Sequence, residues 1–159
     1  MRSVASMLNG DAIPFASNSL QIAVWPGNPL NISELADLSD PGLQVVVCAP
    51  QVPCGATAQA LLDRENIALT PASEELNVKA VLTKVQLGEA DAGIVYVTDI
   101  AAADAVEGVS IPQAAEAKTT YPIGILDSSA NATVAEAFRD FVLSDRGQSI
   151  LAQYGFGRP

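Results

Sequence analysis

Two short apolar segments constrain the fold most strongly. Residues 43–48 (LQVVVC) and 92–97 (AGIVYV) are continuously apolar and rich in β-branched side chains, a pattern typical of strands buried on both faces of a sheet. Two further strands are predicted, at residues 121–126 and at residues 15–24, whose apolar residues alternate. A core built on such strands needs helices on both sides of the sheet.

Helical patterns occupy the segments between these strands. They cover the region after the turn at 53–55, then residues 77–88, 100–105, 132–143 and 147–154. Thr98 or Asp99 is expected to cap the helix at 100–105, and the helix at 132–143 is expected to turn Phe138 and Phe141 inward. Glu74 and Glu75 indicate a solvated loop. Strands that alternate with helices predict an α/β fold with a mostly parallel sheet.

Charge and composition exclude several classes of function. The 159 residues include 18 acidic, 8 basic and no histidine residues, for a net charge of −10. Such a surface repels polyphosphate, which excludes nucleic-acid binding. Without histidine the chain lacks the commonest general base, and no carboxylate pair has a spacing suited to acid–base chemistry, so we expect no enzyme. No apolar run approaches the roughly 18 residues of a membrane span.

The two cysteines, Cys48 and Cys54, are six positions apart. They do not form a Cys-x-x-Cys motif, and two thiols are too few for a structural zinc site. In an exported protein we expect a disulfide between them, and a pair of reduced buried thiols is the alternative. A nucleophilic thiol at either position is disfavoured because no histidine is present to activate it.

Three turns are candidates for ligand binding, because ligands of α/β sheets lie where strands end and helices begin. One follows the strand at 43–48 and leads to Cys54, one follows Val95 and runs through Tyr96 to Asp99, and Val78 opens a helix between them. Helix N-termini present unpaired N–H groups and a positive dipole end. The plainer interpretation is structural, with two connecting turns and a core tyrosine. The residues alone establish an α/β domain with helix ends suited to an anion.

Four segments, in their order and spacing, resemble the molybdate-binding component of bacterial ABC importers. They are residues 15–29 (FASNSLQIAVWPGNP), 47–55 (VCAPQVPCG), 77–85 (NVKAVLTKV) and 88–99 (GEADAGIVYVTD). Residues 120–123 and 147–156 extend the resemblance over nearly the whole chain. It implies a type II periplasmic-binding-protein fold with one complete lobe and part of another. Residues 1–24 would end the first lobe and form a hinge strand, residues 25–120 the second lobe, and residues 121–159 the returning hinge strand and C-terminal helices.

The resemblance also implies a function and a site. The ligand would be molybdate or tungstate, bound by the backbone N–H groups of Cys54 and Val78 and the hydroxyl of Tyr96, with no cofactor. The protein would deliver the oxyanion to the membrane permease of an importer. It would be extracytoplasmic and lipid-anchored in its full-length form, although this chain shows no signal segment. The alternatives are a binding protein for another oxyanion such as sulfate, or an effector-sensing domain of the same fold.

One expected part of the family pattern has no match here. Family members carry an N-terminal stretch that forms most of the first lobe, with two serine-containing loops that complete the oxyanion site. Residues 1–12 resemble only the end of that lobe. Losing two charge-assisted hydrogen bonds is expected to weaken binding about 100-fold or more. The C-terminal helices are then expected to expose Phe138 and Phe141 and to favour self-association.

Overall fold

The computed structural model describes residues 4–159. The first three positions of the expected first-lobe tail at 1–12 lie outside the described residues. The chain divides into two compact units. Unit 1 comprises Met1–Asn18 and Thr119–Pro159, and unit 2 comprises Ser19–Lys118.

Residues 4–159 form seven strands and five α-helices. The strands are β1 (Ile13–Asn18), β2 (Leu20–Val24), β3 (Val45–Cys48), β4 (Ser73–Glu75), β5 (Ala92–Tyr96), β6 (Glu107–Ser110) and β7 (Thr119–Ile123). The helices are α1 (Pro53–Arg64), α2 (Val78–Gln86), α3 (Val97–Ala101), α4 (Ala132–Leu143) and α5 (Asp145–Gln153). Short 3₁₀ helices span Val4–Met7, Leu35–Ser39 and Pro112–Glu116.

Unit 2 is built on a five-stranded sheet with the strand order β4-β3-β5-β2-β6. Strand β3 is parallel to β4 and to β5, while β2 is antiparallel to β5 and to β6. Four strands therefore run in one direction and β2 runs against them. The predicted α/β class with a mostly parallel sheet is confirmed, with one reversed strand that the sequence pattern does not reveal.

The core of unit 2 lies between this sheet and the helices packed on it. Strands β3 and β5 are buried along their whole length. They pack against apolar faces of α1 and α2 that include Leu61 and Val81, both 0% exposed. Burying one such side chain stabilises the fold by about 1.5–3 kcal/mol. The continuous apolar runs of the sequence thus correspond to the two central buried strands.

Two predicted elements differ from the structure in kind rather than only in their ends. The single strand predicted over residues 15–24 is two strands, separated at Ser19, of which β1 belongs to unit 1 and β2 to unit 2. No glycine or proline marks this break, so the apolar pattern runs through it. The solvated loop predicted at Glu74 and Glu75 is also wrong, because both residues lie in β4. As an edge strand of three residues with no buried side chain, β4 has no apolar alternation to detect.

Unit 1 contains a two-stranded antiparallel sheet of β1 and β7 together with α4 and α5. The buried Gln148 side chain of α5 donates to the Phe15 carbonyl at 2.8 Å and to the Val142 carbonyl at 3.0 Å. Helix α4 has no buried residue, and Phe138 and Phe141 are 60% and 44% exposed. The prediction that these rings face inward is therefore wrong, whereas the exposure expected from the family resemblance is present.

An apolar groove of about 310 Å³ runs along this face of unit 1. It is lined by Phe15, Ile123, Phe138, Phe141, Val142, Gly147, Ile150 and Leu151. Within the described residues, no helix has the length and apolar character needed to cross a membrane.

Candidate functional site

Three helices of unit 2 begin at the same edge of the sheet. Strands β4, β3 and β5 are neighbours and run in parallel, so their carboxyl ends lie together. Each of them is followed along the chain by a helix, with α1 after β3, α2 after β4 and α3 after β5. The three candidate residues, Cys54, Val78 and Tyr96, occupy these three strand-to-helix junctions. The topology therefore brings the junctions to one edge.

The first junction leaves backbone donors at the start of α1. Pro53 is the first helical residue and has no N–H, and the first helical hydrogen bond runs from the Ala56 N–H to the Val52 carbonyl at 2.9 Å. The N–H groups of Cys54 and Gly55 lie before this bond and have no acceptor within the helix. The N-cap residue, Val52, offers no side-chain acceptor. This junction therefore presents two backbone donors.

A disulfide and a close backbone contact fix this junction. Cys48 and Cys54 are bonded, with 5.7 Å between their Cα atoms, so the predicted disulfide is confirmed. A Cβ atom at Gly55 would lie 2.0 Å from the Ala49 carbonyl oxygen, a distance that only glycine permits. The Ala49 N–H donates to the Glu75 carbonyl at 2.8 Å, which ties the junction to β4. The start of α1 is thus held against the ends of β3 and β4.

The second junction is capped in the usual way. Asn77 has extended backbone angles, and its side chain accepts a hydrogen bond from the Ala80 N–H at 2.9 Å. The N–H groups of Val78 and Lys79, which precede Ala80, have no acceptor within the helix. The helix start predicted at Asn77 is confirmed, and its first turn keeps two donors.

The third junction places Tyr96 at the end of β5. Its side chain is 8% exposed and belongs to the hydrophobic core, as the plainer interpretation of this residue predicts. Its backbone N–H donates to the Asp99 carboxylate at 3.0 Å. Helix α3 begins at Val97, earlier than the predicted start at residue 100, so Asp99 lies in the first turn rather than before it.

The electrostatics of Asp99 link the second and third junctions. Burial raises the pKa of the Asp99 carboxyl above its ordinary value, while the Tyr96 N–H and the charge of Lys79 act in the opposite direction. Interactions between charges fade over about 10 Å in ordinary salt. Helices α2 and α3 contact each other, so Lys79 and Asp99, each in the first turn of its helix, lie on neighbouring elements.

An ion pair supports the same edge from the side of β4. The Glu75 carboxylate contacts the Lys84 ammonium of α2 and accepts a hydrogen bond from the Ser73 hydroxyl at 2.8 Å. The hydrogen bond from Lys84, followed by that from Ser73, lowers the pKa of Glu75. This contact joins α2 to the strand that precedes it.

Sequence reasoning missed three contributors to this edge. Gly55 was visible as part of a Pro-Cys-Gly turn, but its contact with the Ala49 carbonyl depends on tertiary packing. Lys79 and Asp99 lie on two helices that contact each other, and no spacing in the chain reveals that contact. Strand β4 carries no apolar signal. Among residues 4–159, no group of three or more acidic or cysteine side chains is arranged to hold a metal ion.

Comparison with known proteins identifies what the chain is similar to. The family model for bacterial extracellular solute-binding proteins matches residues 2–157. The molybdate-binding protein ModA of Mycobacterium tuberculosis is 43% identical over 156 residues, which cover 98% of this chain and 60% of that protein. The chain therefore spans about 60% of the length of this relative.

Solved structures agree with this comparison. The substrate-binding domain of a putative molybdenum ABC transporter from Clostridium difficile is 28% identical and aligns with a TM-score of 0.73 over 96% of this chain and 69% of that domain. The periplasmic molybdate-binding protein of Azotobacter vinelandii is 22% identical, with a TM-score of 0.67 over 96% of this chain and 70% of that protein, and supports the fold. These relatives are named as binding proteins and not as enzymes.

Proposed function

Because the chain belongs to the family of bacterial extracellular solute-binding proteins, we propose that it captures a tetrahedral oxyanion, molybdate or its near-isostere tungstate, outside the cytoplasm. The observation that carries this proposal is the arrangement of three strand-to-helix junctions at one edge of the unit 2 sheet. Two of these helix starts keep unpaired backbone donors. The relative at 43% identity is a molybdate-binding protein, which supports the choice of anion.

The donors that we assign to the anion are uncharged. They are the backbone N–H groups of Cys54 and Val78 and the hydroxyl of Tyr96. Each hydrogen bond to a charged ligand contributes about 1.5–3 kcal/mol. A ring of fixed donors selects by size, because a smaller anion such as sulfate cannot reach all of them at once. No cofactor and no catalytic step are part of this function.

The wider role follows from the same proposal. The captured oxyanion passes to the membrane permease of an ABC importer, and the full-length protein is held at the cell envelope by a lipid anchor. We assign residues 1–24 to the end of the first lobe and a hinge strand, residues 25–120 to the second lobe, and residues 121–159 to the returning hinge strand and C-terminal helices. On this assignment the chain supplies one complete side of a two-sided binding site.

An NMR titration tests the anion site directly and detects weak binding. Molybdate and tungstate added to the ¹⁵N-labelled 159-residue protein are expected to shift the amide signals of Cys54, Val78 and Tyr96. Sulfate and phosphate are expected to cause much smaller shifts. If no oxyanion shifts these three signals at millimolar concentration, the proposal fails. Equal shifts with all four anions would favour a general or sulfate-binding role instead.

A tyrosine substitution tests the hydroxyl donor. Tyr96→Phe removes only the hydroxyl and is expected to weaken molybdate binding about tenfold or more, the share of one hydrogen bond to a charged ligand. Tyr121→Phe is the matched control, because Tyr121 lies in unit 1 against the rings of Phe15 and Phe156. Unchanged affinity in Tyr96→Phe would remove this residue from the site.

We also propose that the 159-residue chain self-associates through the apolar face of unit 1. Val134, Phe138 and Phe141 are 67%, 60% and 44% exposed there. Charge is distributed so as to permit this contact: unit 1 has four basic and five acidic residues, whereas unit 2 has four basic and thirteen acidic residues. The apolar face thus belongs to the nearly neutral unit, where repulsion between copies is weakest.

Sedimentation equilibrium tests this contact over a range of protein concentrations. Phe138→Ser is expected to shift the chain toward monomer. Leu76→Ser is the matched control, because Leu76 is 70% exposed but lies in unit 2. A wild-type chain that is monomeric at all concentrations, or a variant that associates as the wild type does, would contradict the proposal.

A further inference from the structure

We propose that the Cys48–Cys54 disulfide takes the place of a capping side chain at α1 and so keeps the N–H groups of Cys54 and Gly55 available to the oxyanion. This inference rests on the proposed function and deepens it, because it adds the Gly55 N–H to the donors assigned to the oxyanion. On this inference the two cysteines are positioning residues, because they hold the start of α1, whose N–H groups bind the anion.

The α1 helix begins differently from two other helices of the chain. In α2 the Asn77 side chain accepts from the Ala80 N–H, and in α5 the Ser144 hydroxyl accepts from the Gly147 N–H at 3.2 Å. Each cap uses one of the first backbone donors of its helix. A cap on α1 would accept from its second or third residue, which are Cys54 and Gly55. A capped α1 would therefore lose one of the two donors that it presents.

Val52 lies at the N-cap position of α1 but provides no side-chain hydrogen-bond acceptor. Its φ of −109° and ψ of 155° are the extended angles of an N-cap residue, but its side chain has no oxygen to accept a hydrogen bond. It is partly buried and packs against the core. The backbone angles of Val52 thus suit an N-cap residue, but its side chain accepts no hydrogen bond from the helix.

The disulfide supplies the missing restraint. It joins the last residue of β3 to the second residue of α1, and Cys48 and Cys54 are 3% and 6% exposed. A helix start with neither a cap nor a tether is held less firmly, since its first N–H groups have no partner within the helix. The covalent bond holds the first turn and occupies no backbone donor. An N-capping side chain would restrain the turn at the cost of a donor.

Val52→Thr distinguishes restraint of the first turn of α1 from the availability of its backbone N–H groups to the oxyanion. Threonine keeps the branched shape of valine and adds a hydroxyl at a position whose backbone already suits a cap. Four proteins are compared: wild type, Val52→Thr, the Cys48→Ala/Cys54→Ala double variant, and the triple variant that combines all three changes. Amide exchange at Ala56, whose N–H closes the first hydrogen bond of α1, and the Kd for molybdate from the NMR titration are measured for each. The α2 amides serve as the folding control.

Each variant has a distinct expected result. Val52→Thr with the disulfide intact is expected to keep exchange protection and to weaken molybdate binding about tenfold, because the hydroxyl takes one donor. The double variant is expected to lose exchange protection at the Ala56 N–H, which bonds to the Val52 carbonyl, and to bind more weakly than the wild type. The triple variant is expected to recover protection without recovering affinity, a split that a purely structural disulfide would not produce.

Other results would overturn the inference. If Val52→Thr binds molybdate with the Kd of the wild type, the inference is overturned even if the cysteine variants do not fold. Unchanged exchange protection at Ala56 in the double variant would overturn the inference even if no form binds molybdate. Absence of shifts in the wild type at Cys54, Val78 and Tyr96 counts against the proposed function, and the exchange data then decide the role of the disulfide alone.

Discussion

At Gly55, one added methyl group is expected to distinguish an effect on anion binding from an effect on the stability of the fold. It is the third residue of α1, and a Cβ atom there would lie 2.0 Å from the Ala49 carbonyl oxygen and 2.6 Å from the Cys48 carbonyl oxygen. Both atoms are backbone and cannot rotate away. Gly55→Ala therefore forces the start of α1 to move away from the end of β3.

The size of this movement sets the expected effects. Ordinary contact begins at 3.4 Å, so the methyl group requires a shift of about 1.4 Å. A donor displaced by that distance from a 2.9 Å hydrogen bond is beyond hydrogen-bond range. We expect Gly55→Ala to cost about 1–3 kcal/mol of stability through overpacking, near the upper end of that range. We expect molybdate binding to weaken at least tenfold, because one or both α1 donors leave the anion.

Gly147→Ala is a closely matched control. Gly147 is also the third residue of its helix, α5, and a Cβ atom there would lie 2.2 Å from the Phe141 carbonyl oxygen. Urea unfolding is expected to show comparable destabilisation of both variants. NMR titration at a temperature where both are folded is expected to show lost affinity only for Gly55→Ala. Wild-type affinity in a folded Gly55→Ala protein, or equal loss in both, would refute the assignment of α1 to the site.

Three further predictions concern charge. Burial gives Asp99 a raised pKa, so its contribution to stability is present at low pH and lost as the pH rises through the folded-state pKa. Asp99→Asn keeps an acceptor for the Tyr96 N–H, and urea unfolding should show it to be at least as stable as the wild type at pH 7. This advantage of Asp99→Asn should be lost near pH 3.8. Glu75 has a lowered pKa, so Lys84→Met should cost at most about 1 kcal/mol at pH 7 and low salt. The cost should be smaller once the pH has fallen through the folded-state pKa of Glu75, when only the hydrogen bond from Lys84 to the Ser73 hydroxyl remains. Raising sodium chloride from about 20 to 200 mM should leave molybdate affinity unchanged or increase it, whereas a steep decrease in the NMR titration would indicate basic side chains as the main ligands.

The sequence predicted the central elements of the fold because burial determined their composition. Strands β3 and β5 lie within their predicted ranges, and α4 matches residues 132–143 at both ends. Asn77 marked the start of α2 because its side chain has a specific role there. These features depend on local composition or on one side chain, and both can be read from one amino-acid sequence.

The features that the sequence did not predict depend on contacts between distant segments. Nothing at Ser19 indicates that β1 and β2 separate into different units. The exposure of Phe138 and Phe141 contradicts the amphipathic pattern of α4, since the apolar face of a helix does not reveal whether a partner covers it. The contact between Gly55 and Ala49 likewise arises only when α1 packs on β3. The three candidate ligand positions were placed by family resemblance, and their role in binding stays a prediction.

The choice of uncharged donors follows from the charge of the unit that carries them. Unit 2 has nine more acidic than basic residues, and yet the proposed site must hold a dianion. Repulsion from dispersed surface charges is screened within about 8 Å in physiological salt, whereas hydrogen bonds act at contact inside a partly buried edge. Backbone donors also have fixed directions once a helix start is anchored, which flexible lysine side chains do not. Anchoring therefore matters more to such a site than charge does, and in this chain it is provided by a disulfide, a glycine contact and an ion pair around the same three junctions.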